Sequence, residues 1–132
     1  MEECIFCSKI SKKLRIAESN HFYIVYDIDP IQEGHILIIT KKHIMNLTEL
    51  DTIQLLELSH IQQKIVAIYE KNALIAGTTF IQNNGDIMDD GVHFHLHVVP
   101  RYEDDDFWHN HLVENKPLST EWLTKEIKSE FS

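Results

Sequence analysis

Histidine and apolar residues alternate without a break from His93 to Val98, in the order His-Phe-His-Leu-His-Val. The side chains of a β-strand point to opposite faces in turn, so the alternation predicts three imidazoles on one face and a buried apolar face behind them. A lone histidine on such a face usually belongs to a partly solvated surface, and this explanation also stays open for three. Two chemistries fit the three rings, nucleophilic attack by one of them or a three-histidine metal site with a water in its open position.

Apolar residues recur at steps of three and four from about Thr52 to Lys71, which predicts a long helix with one buried face. The positions are Leu55, Leu58, Ile61, Ile65, Ile68 and Tyr69. Asp51 followed by Gln54 is typical of a capping box at the start of a helix. We expect the helix to end near Asn72.

Segments rich in β-branched and aromatic residues predict strands on both sides of this helix. The predicted strands are residues 15–18, 22–28, 35–40, 78–82 and 92–99, and residues 5–11 are expected to form one or two helical turns. Ser119 is a candidate cap for a short helix that runs to about Phe131. The residues expected to dock this helix are Trp122, Leu123 and Ile127. The pattern predicts an α+β fold, an antiparallel sheet of about five strands packed with one long helix and short terminal helices.

One domain can account for all 132 residues, because 43% hydrophobic content is enough for a core without covalent staples. We place the domain at residues 1–112, with a C-terminal tail at residues 113–132 that docks on it as a short helix. The formal charge of -9 excludes a long-range field that gathers nucleic acid, so local donors have to hold any phosphate ligand. The chain lacks a run of 18 or more apolar residues, and its start at Met1-Glu2-Glu3 is acidic where a secretory leader is basic. We therefore expect a cytoplasmic protein without a membrane partner.

Six separated segments form a recognisable set along residues 4–102. They are Cys4-Ile5-Phe6-Cys7, Asp27-Ile28-Asp29-Pro30, Gly34-His35-Ile36-Leu37, Lys41-Lys42-His43, Asn83-Asn84-Gly85 and the triad with the Pro100-Arg101-Tyr102 that follows it. In this order they resemble the landmarks of the histidine triad (HIT) family, in its bacterial Hint-like branch with a C-x2-C zinc site. The resemblance implies the HIT fold and a homodimer that pairs through the long helix and a sheet edge.

The resemblance also implies the chemistry of the middle histidine, His95. It would attack the α-phosphorus of a purine nucleotide conjugate, an adenosine phosphoramidate or a dinucleoside polyphosphate, to form a nucleotidyl-histidine intermediate. A neutral imidazole, with a reference pKa of about 6.5, is available for such an attack at neutral pH. By the same resemblance His97 donates a hydrogen bond to the phosphate or leaving group, and His35 borders the site. The implied nucleotide contacts are Phe6, Asp27, Ile28, Asn83 and His97.

Two of these nucleotide contacts have an ordinary explanation as well. Asp27 precedes the Asp29-Pro30 turn and could serve only to form it. Asn83 begins an Asn-Asn-Gly sequence that favours a tight turn in any protein. Both alternatives stay open on the sequence alone.

Cys4 and Cys7 have a spacing that lets two thiolates share one metal ion, although structural zinc needs four ligands. A pair this close cannot act as a disulfide framework, so metal binding, redox chemistry or two idle thiols are the alternatives. The resemblance implies a structural zinc ion held by Cys4, Cys7, His43 and His93. Such an ion would tie the N-terminal segment to the sheet and orient the neighbouring catalytic strand.

The loop before the triad departs from the family pattern. HIT proteins usually carry a Gly-Gln pair and a small residue there, whereas this chain has Asp86-Ile87-Met88-Asp89-Asp90-Gly91. Ionised aspartates accept hydrogen bonds, donate none and repel a phosphate at close range. The intact histidines favour a nucleotide hydrolase or transferase, and the aspartate loop favours a nucleotide-sensing or partner-binding module with little turnover.

Overall fold

The computed structural model describes residues 4–110 and 112–131, and these residues contain five strands and three α-helices. The helices are α1 (Ile5–Ser8), α2 (Thr52–Glu70) and α3 (Thr120–Glu130), and the strands are β1 (Ala17–Glu18), β2 (Phe22–Tyr26), β3 (Ile36–Thr40), β4 (Gly77–Gln82) and β5 (His95–Arg101). The acidic start at Met1, Glu2 and Glu3, which entered the expectation about a leader, lies outside the described residues.

The strands form one antiparallel sheet in the order β1-β2-β3-β5-β4. The predicted α+β fold, with about five antiparallel strands, one long helix and short terminal helices, is confirmed. β5 lies inside the sheet, with Ile39 of β3 opposite His95 and Leu37 opposite His97. A strand paired on both sides and buried on one face has its register firmly set, so the two histidines are held in place.

The histidine strand begins later than the alternation predicted. β5 starts at His95, whereas the predicted strand started at Val92. β3 ends at Thr40, and the Phe94 amide donates instead to the carbonyl oxygen of Ile44, at 2.6 Å, in the loop beyond β3. The prediction was wrong at this end because a regular ladder needs a partner strand, and β3 is already finished there.

Two apolar clusters cover the two faces of the sheet. One joins the sheet to α2 and contains Phe22, Ile36, Ile38, Ile44, Leu50, Leu58, Ile65, Phe94, Leu96 and Val98. The other contains Phe6, Tyr23, Val25, Leu37 and Ile39. Cross-strand partners share a face, so Leu37 and Ile39 place the second cluster on the side of His95 and His97. The predicted division of β5 into an apolar face and a histidine face is confirmed.

α2 begins with the predicted capping box. The Gln54 amide donates to the Asp51 carboxylate at 2.8 Å, and the Asp51 amide donates to the Gln54 side-chain oxygen at 3.0 Å. Leu58 and Ile65 are buried, but the predicted core position Ile68 is 58% exposed. The helix therefore buries a narrower stripe than its apolar residues predicted.

α3 begins at its predicted cap, because the Trp122 amide donates to the Ser119 hydroxyl oxygen at 3.2 Å. The residues expected to dock it are exposed in the single chain, Trp122 by 54%, Leu123 by 37% and Ile127 by 49%. Docking of the tail on the domain stays a prediction. Within the described ranges, we find no helix with the length and apolar character of a membrane span.

Candidate active site and metal centre

His95 is the first residue of β5 and is almost fully buried. Its Nδ1 lies 2.7 Å from the carbonyl oxygen of His93. A carbonyl oxygen can only accept, so Nδ1 carries the proton and the Nε2 lone pair is left available. The backbone thus fixes the tautomer of His95 that has an unprotonated Nε2.

A chain of hydrogen bonds fixes the proton positions of the other two histidines. The Ile31 amide donates to Nδ1 of His35 at 3.0 Å, which places the proton of neutral His35 on its Nε2. This Nε2 donates to Nδ1 of His97 at 2.9 Å. His97 therefore carries its own proton on Nε2, as a donor. One backbone amide orients two imidazoles in series.

The turn between β2 and β3 brings Asp27 to this pair. The Asp27 amide donates to the His35 carbonyl oxygen at 3.0 Å. Gly34, two residues before β3, has a φ of 91°, a left-handed conformation that favours glycine. One carboxylate oxygen of Asp27 lies 3.3 Å from Nε2 of His35 and 3.7 Å from Nδ1 of His97. The other accepts a hydrogen bond from the Asp29 amide at 2.9 Å.

Asp27, His35 and His97 bring their donor atoms close enough to hold a metal ion. The Ile31 amide argues against that use, because a metal ligand needs a free lone pair on Nε2 of His35. With a proton on Nε2, the same atoms form a hydrogen-bond network. The geometry of a three-histidine metal site at His93, His95 and His97 is not found either, because these rings bond to different partners.

Burial keeps the imidazoles of His35 and His97 neutral. It lowers the pKa of His97 from 6.5 to about 4, with further lowering by the neighbouring rings of His95 and His35. The charges of Asp27 and Asp89 offset part of this shift. Burial also lowers the pKa of His35. Both rings are neutral at pH 7, as the hydrogen-bond directions require.

A cavity of about 290 Å³ opens beside His95 and His97. Its apolar wall is formed by Ile5, Phe6, Ile10, Val25, Tyr26, Ile28, Leu37 and Val92. Asp27 and Asp89 line it together with the two histidines. The ring of Phe6 meets His95 edge-on, with 5.0 Å between centroids. An apolar slot with a few polar groups at one end is the usual form of a small-molecule site.

The second constellation lies at the N-terminal end of β5. The Sγ of Cys4 lies 3.2 Å from Nδ1 of His93, the Sγ of Cys7 lies 3.3 Å from Nδ1 of His43, and all four ligand atoms lie within 4.8 Å of one another. Tetrahedral zinc with bonds of about 2.0–2.3 Å separates its ligand atoms by roughly 3.3–3.8 Å. The cluster can hold a metal ion with little movement.

The proton position of His93 agrees with that use. Its Nε2 donates to the Thr40 carbonyl oxygen at 2.6 Å, so Nδ1 keeps a free lone pair toward the cysteines. Burial lowers the pKa of His93, which keeps the ring neutral as a metal ligand must be. A cysteine pair with two such histidines is a common zinc ligand set.

The HIT domain family model matches residues 9–104 of this chain. The chain belongs to the HIT family. An uncharacterized 16.1 kDa HIT-like protein of Mycoplasma pneumoniae is 31% identical over 132 residues, which cover 94% of this chain and 92% of the relative. A crystal structure of a zinc-bound histidine triad family protein from Mycobacterium smegmatis is 27% identical, with a TM-score of 0.67 and 96% of each chain covered. That of a histidine triad nucleotide-binding protein from Candida albicans is 26% identical, with a TM-score of 0.63, and the match covers 98% of this chain and 97% of that one.

In this HIT protein most of the predicted site residues come together. Phe6, Asp27, Ile28, His95 and His97 line one cavity, and His35 contacts it through His97. Ile28 is 99% exposed, so a base could cover it without displacing protein atoms.

Asn83 is the exception among the predicted nucleotide contacts. It follows β4, it is half-buried, and it is absent from the cavity lining given above. Its carbonyl oxygen accepts a hydrogen bond from the Gln82 side chain. Asn83 lies outside any assigned turn, so its role as a nucleotide contact and its role as a turn residue both stay predictions.

Sequence reasoning missed the groups that set the proton positions of the HIT histidines. They are backbone groups, the Ile31 amide and the carbonyl oxygens of Thr40 and His93, and no residue type signals them. The sequence already showed that the loop of residues 86–91 departs from the family pattern. Only the fold shows which of its aspartates lie at the cavity. Asp89 lines both the cavity beside His95 and a neighbouring depression, whereas Asp86 and Asp90 line the depression and not that cavity.

Proposed function

We propose that this HIT protein is a nucleotide hydrolase or transferase that acts on the α-phosphate of purine nucleotide conjugates, such as adenosine phosphoramidates or dinucleoside polyphosphates. The observation that carries the proposal is the 2.7 Å hydrogen bond between Nδ1 of His95 and the carbonyl oxygen of His93. It leaves a lone pair on Nε2 of a ring that lines a cavity of ligand size.

In the first step, Nε2 of His95 bonds to the α-phosphorus, and the bond from phosphorus to the leaving nitrogen or oxygen breaks. Nε2 of neutral His97 donates a hydrogen bond to the leaving atom and keeps its proton, and a water molecule in the cavity gives the leaving atom the proton that it needs. In the second step the oxygen of that water bonds to the phosphorus, and the bond from phosphorus to His95 breaks. The products are a nucleoside monophosphate and the free enzyme, and a different acceptor in place of water gives group transfer.

The cavity wall supplies a place for the nucleoside. Phe6 and Ile28 give two apolar surfaces for the base, and the Asp27 carboxylate, which lines the cavity, can accept a further hydrogen bond from a ribose hydroxyl. Asn83 stays a predicted contact of the ribose and phosphate region. His35 holds His97 in its donor tautomer and is a positioning residue.

We also propose that Cys4, Cys7, His43 and His93 hold a structural zinc ion. The four ligand atoms, the free Nδ1 of His93 and its bond to the Thr40 carbonyl support this assignment. When bound, the ion supplies a fixed cross-link between the N-terminal segment and the residues before β5. The chain's own contribution is to hold the His93 carbonyl where it meets His95.

The test is release of AMP from an adenosine phosphoramidate. Wild type and His60→Ala are expected to release AMP, because His60 is an exposed residue on α2 away from the cavity. His95→Ala is expected to release none above background while still binding AMP. Equal trace release by wild type and His95→Ala would contradict a histidine nucleophile.

One observation favours the second candidate, a nucleotide-sensing or partner-binding module with little turnover. Asp89 places a carboxylate in the cavity that would receive the phosphate. For such a module, wild type binds AMP in calorimetry but releases no product, and His95→Ala leaves that binding unchanged. Turnover by wild type would exclude this candidate.

A further inference from the structure

Asp89 is an exposed acidic residue that lines the cavity beside His95 and His97. It lines the cavity together with Asp27, His95 and His97, and neither lysine nor arginine is among the residues that line it. The Asp27 carboxylate is already engaged by the Asp29 amide and lies beside His35 and His97. Within the described part of the chain, by contrast, neither a hydrogen bond nor an ion pair engages the side chain of Asp89.

The cavity therefore has a negative electrostatic character. Asp27 and Asp89 line it, and neither a lysine nor an arginine lines it to offset their charge. A nucleotide phosphate brings a further negative charge close to Asp89, and like charges at short range repel. A ligand that also carries a positive charge near the phosphate would reverse the sign of that interaction.

The position of Asp89 indicates which part of the ligand would carry that charge. Asp89 and His97 both line the cavity, and the charge of Asp89 offsets part of the lowering of the pKa of His97, the residue proposed to donate a hydrogen bond to the leaving atom. The apolar wall of Phe6 and Ile28 is the part of the cavity that suits a base. The free carboxylate is thus available to whatever group leaves the phosphorus on the His97 side.

We propose that Asp89 selects nucleotide phosphoramidates whose leaving amine carries a second, protonated amino group. Its carboxylate pairs with that ammonium group and offsets the repulsion of the phosphate. The inference rests on the proposed function, which it narrows to one class of leaving group, and it concerns a residue at which this chain departs from the usual HIT loop. Asp89 is here a specificity-determining residue, and the bonds made and broken are those already given for His95 and His97.

The test compares two adenosine phosphoramidates of the same length, one made with n-butylamine and one with 1,3-diaminopropane. Their leaving groups differ in a terminal methyl against a terminal ammonium group. Wild type is expected to show a kcat/KM about fivefold higher for the charged substrate, which is the upper range of an exposed ion pair. In Asp89→Asn the ratio is expected to fall close to one.

Asp86→Asn is the matched control, because Asp86 belongs to the same loop and its substitution removes the same charge. Asp86 does not line the cavity beside His95 and His97. The variant is expected to keep the wild-type ratio. A second measurement uses salt: raising the ionic strength should shrink the wild-type ratio, because an exposed ion pair is screened. Asp89→Asn should show no such dependence.

The outcomes separate the inference from the function beneath it. Hydrolysis of both substrates at equal kcat/KM by wild type overturns the selection and leaves the hydrolase proposal standing. An equal rise in kcat/KM for both substrates in Asp89→Asn also overturns the selection and leaves the hydrolase proposal standing. In that case the carboxylate repels the phosphate of any substrate. Absence of AMP release from either substrate by wild type overturns the hydrolase proposal, and the selection falls with it.

Discussion

His95 is bonded through its Nδ1 to the carbonyl oxygen of His93, at 2.7 Å, and His93 is itself one of the four residues of the metal cluster. The proposed nucleophile and the candidate metal centre are therefore joined by one hydrogen bond. Phe6 adds a second connection, because it lies between Cys4 and Cys7 in the chain and meets His95 in the cavity. We therefore expect changes at the metal centre to alter nucleotide binding in the cavity.

Removal of the metal is expected to destabilise the protein and weaken nucleotide binding. A structural ion contributes to folding directly, and its loss frees Phe6 and the His93 carbonyl. We expect the melting temperature to fall by about 5 °C or more on chelation, a change worth on the order of 1–2 kcal/mol for a chain of this size. The measurements are thermal melting and AMP calorimetry on metal-loaded and chelated protein, with Cys7→Ser as the genetic counterpart. Identical melting of loaded and chelated protein would argue against a structural ion.

Substitution of His35 is expected to lower turnover more than affinity. Without the 2.9 Å bond from His35, neutral His97 can carry its proton on either nitrogen, and only one tautomer can donate to the leaving atom. We expect His35→Ala to lower kcat by about 10- to 100-fold, the usual cost of losing a group that orients a catalytic ring. Nitrogen-15 NMR should show a single Nε2-protonated tautomer of His97 in wild type and a mixture in the variant. An unchanged NMR spectrum of His97 would show that His35 does not set the tautomer.

Acid is expected to destabilise the fold through His97. The pKa of His97 is about 4 in the folded chain and about 6.5 in the unfolded chain. Between pH 4 and pH 6.5, His97 is therefore mostly protonated in the unfolded chain and mostly neutral in the folded chain. Stability attributable to His97 is therefore full above pH 6.5, declines as the pH falls, and is lost by about pH 4. At about 1.4 kcal/mol per pKa unit, the loss is about 3 kcal/mol at most. Urea unfolding from pH 4 to 7 should show a shallower decline for His97→Gln than for wild type. Parallel curves would contradict a buried neutral His97.

Two copies of the chain are expected to associate. β4 is an edge strand of the sheet, and α2 leaves Ile53 69% and Leu56 58% exposed in the single chain. Pairing of two β4 edges would continue the sheet to ten strands and satisfy the open backbone groups at that edge. Light scattering should give a mass near twice the 15.5 kDa of one chain. A mass that stays at 15.5 kDa across a dilution series would exclude this pairing.

Features with a local physical cause were predictable from the sequence. The capping box of Asp51 and Gln54 and the cap of Ser119 need only residues three positions apart. The two faces of β5 follow from strand geometry alone. Local reasoning fails where a distant residue is the partner. The Phe94 amide donates to the carbonyl oxygen of Ile44, beyond the end of β3, so β5 begins later than the alternation predicted.

By itself, the sequence determined which groups could do chemistry here, because residue type supplies imidazoles, thiols and carboxylates, and the alternation places His95 and His97 on one face of a strand. Only the tertiary structure decided what each atom does. His35 and His97 stand 62 positions apart, and His93 and Thr40 stand 53 apart, yet these contacts set the proton positions of His97 and His93. A ring nitrogen takes its role from the partner it meets, and the fold alone brings those partners within hydrogen-bond distance.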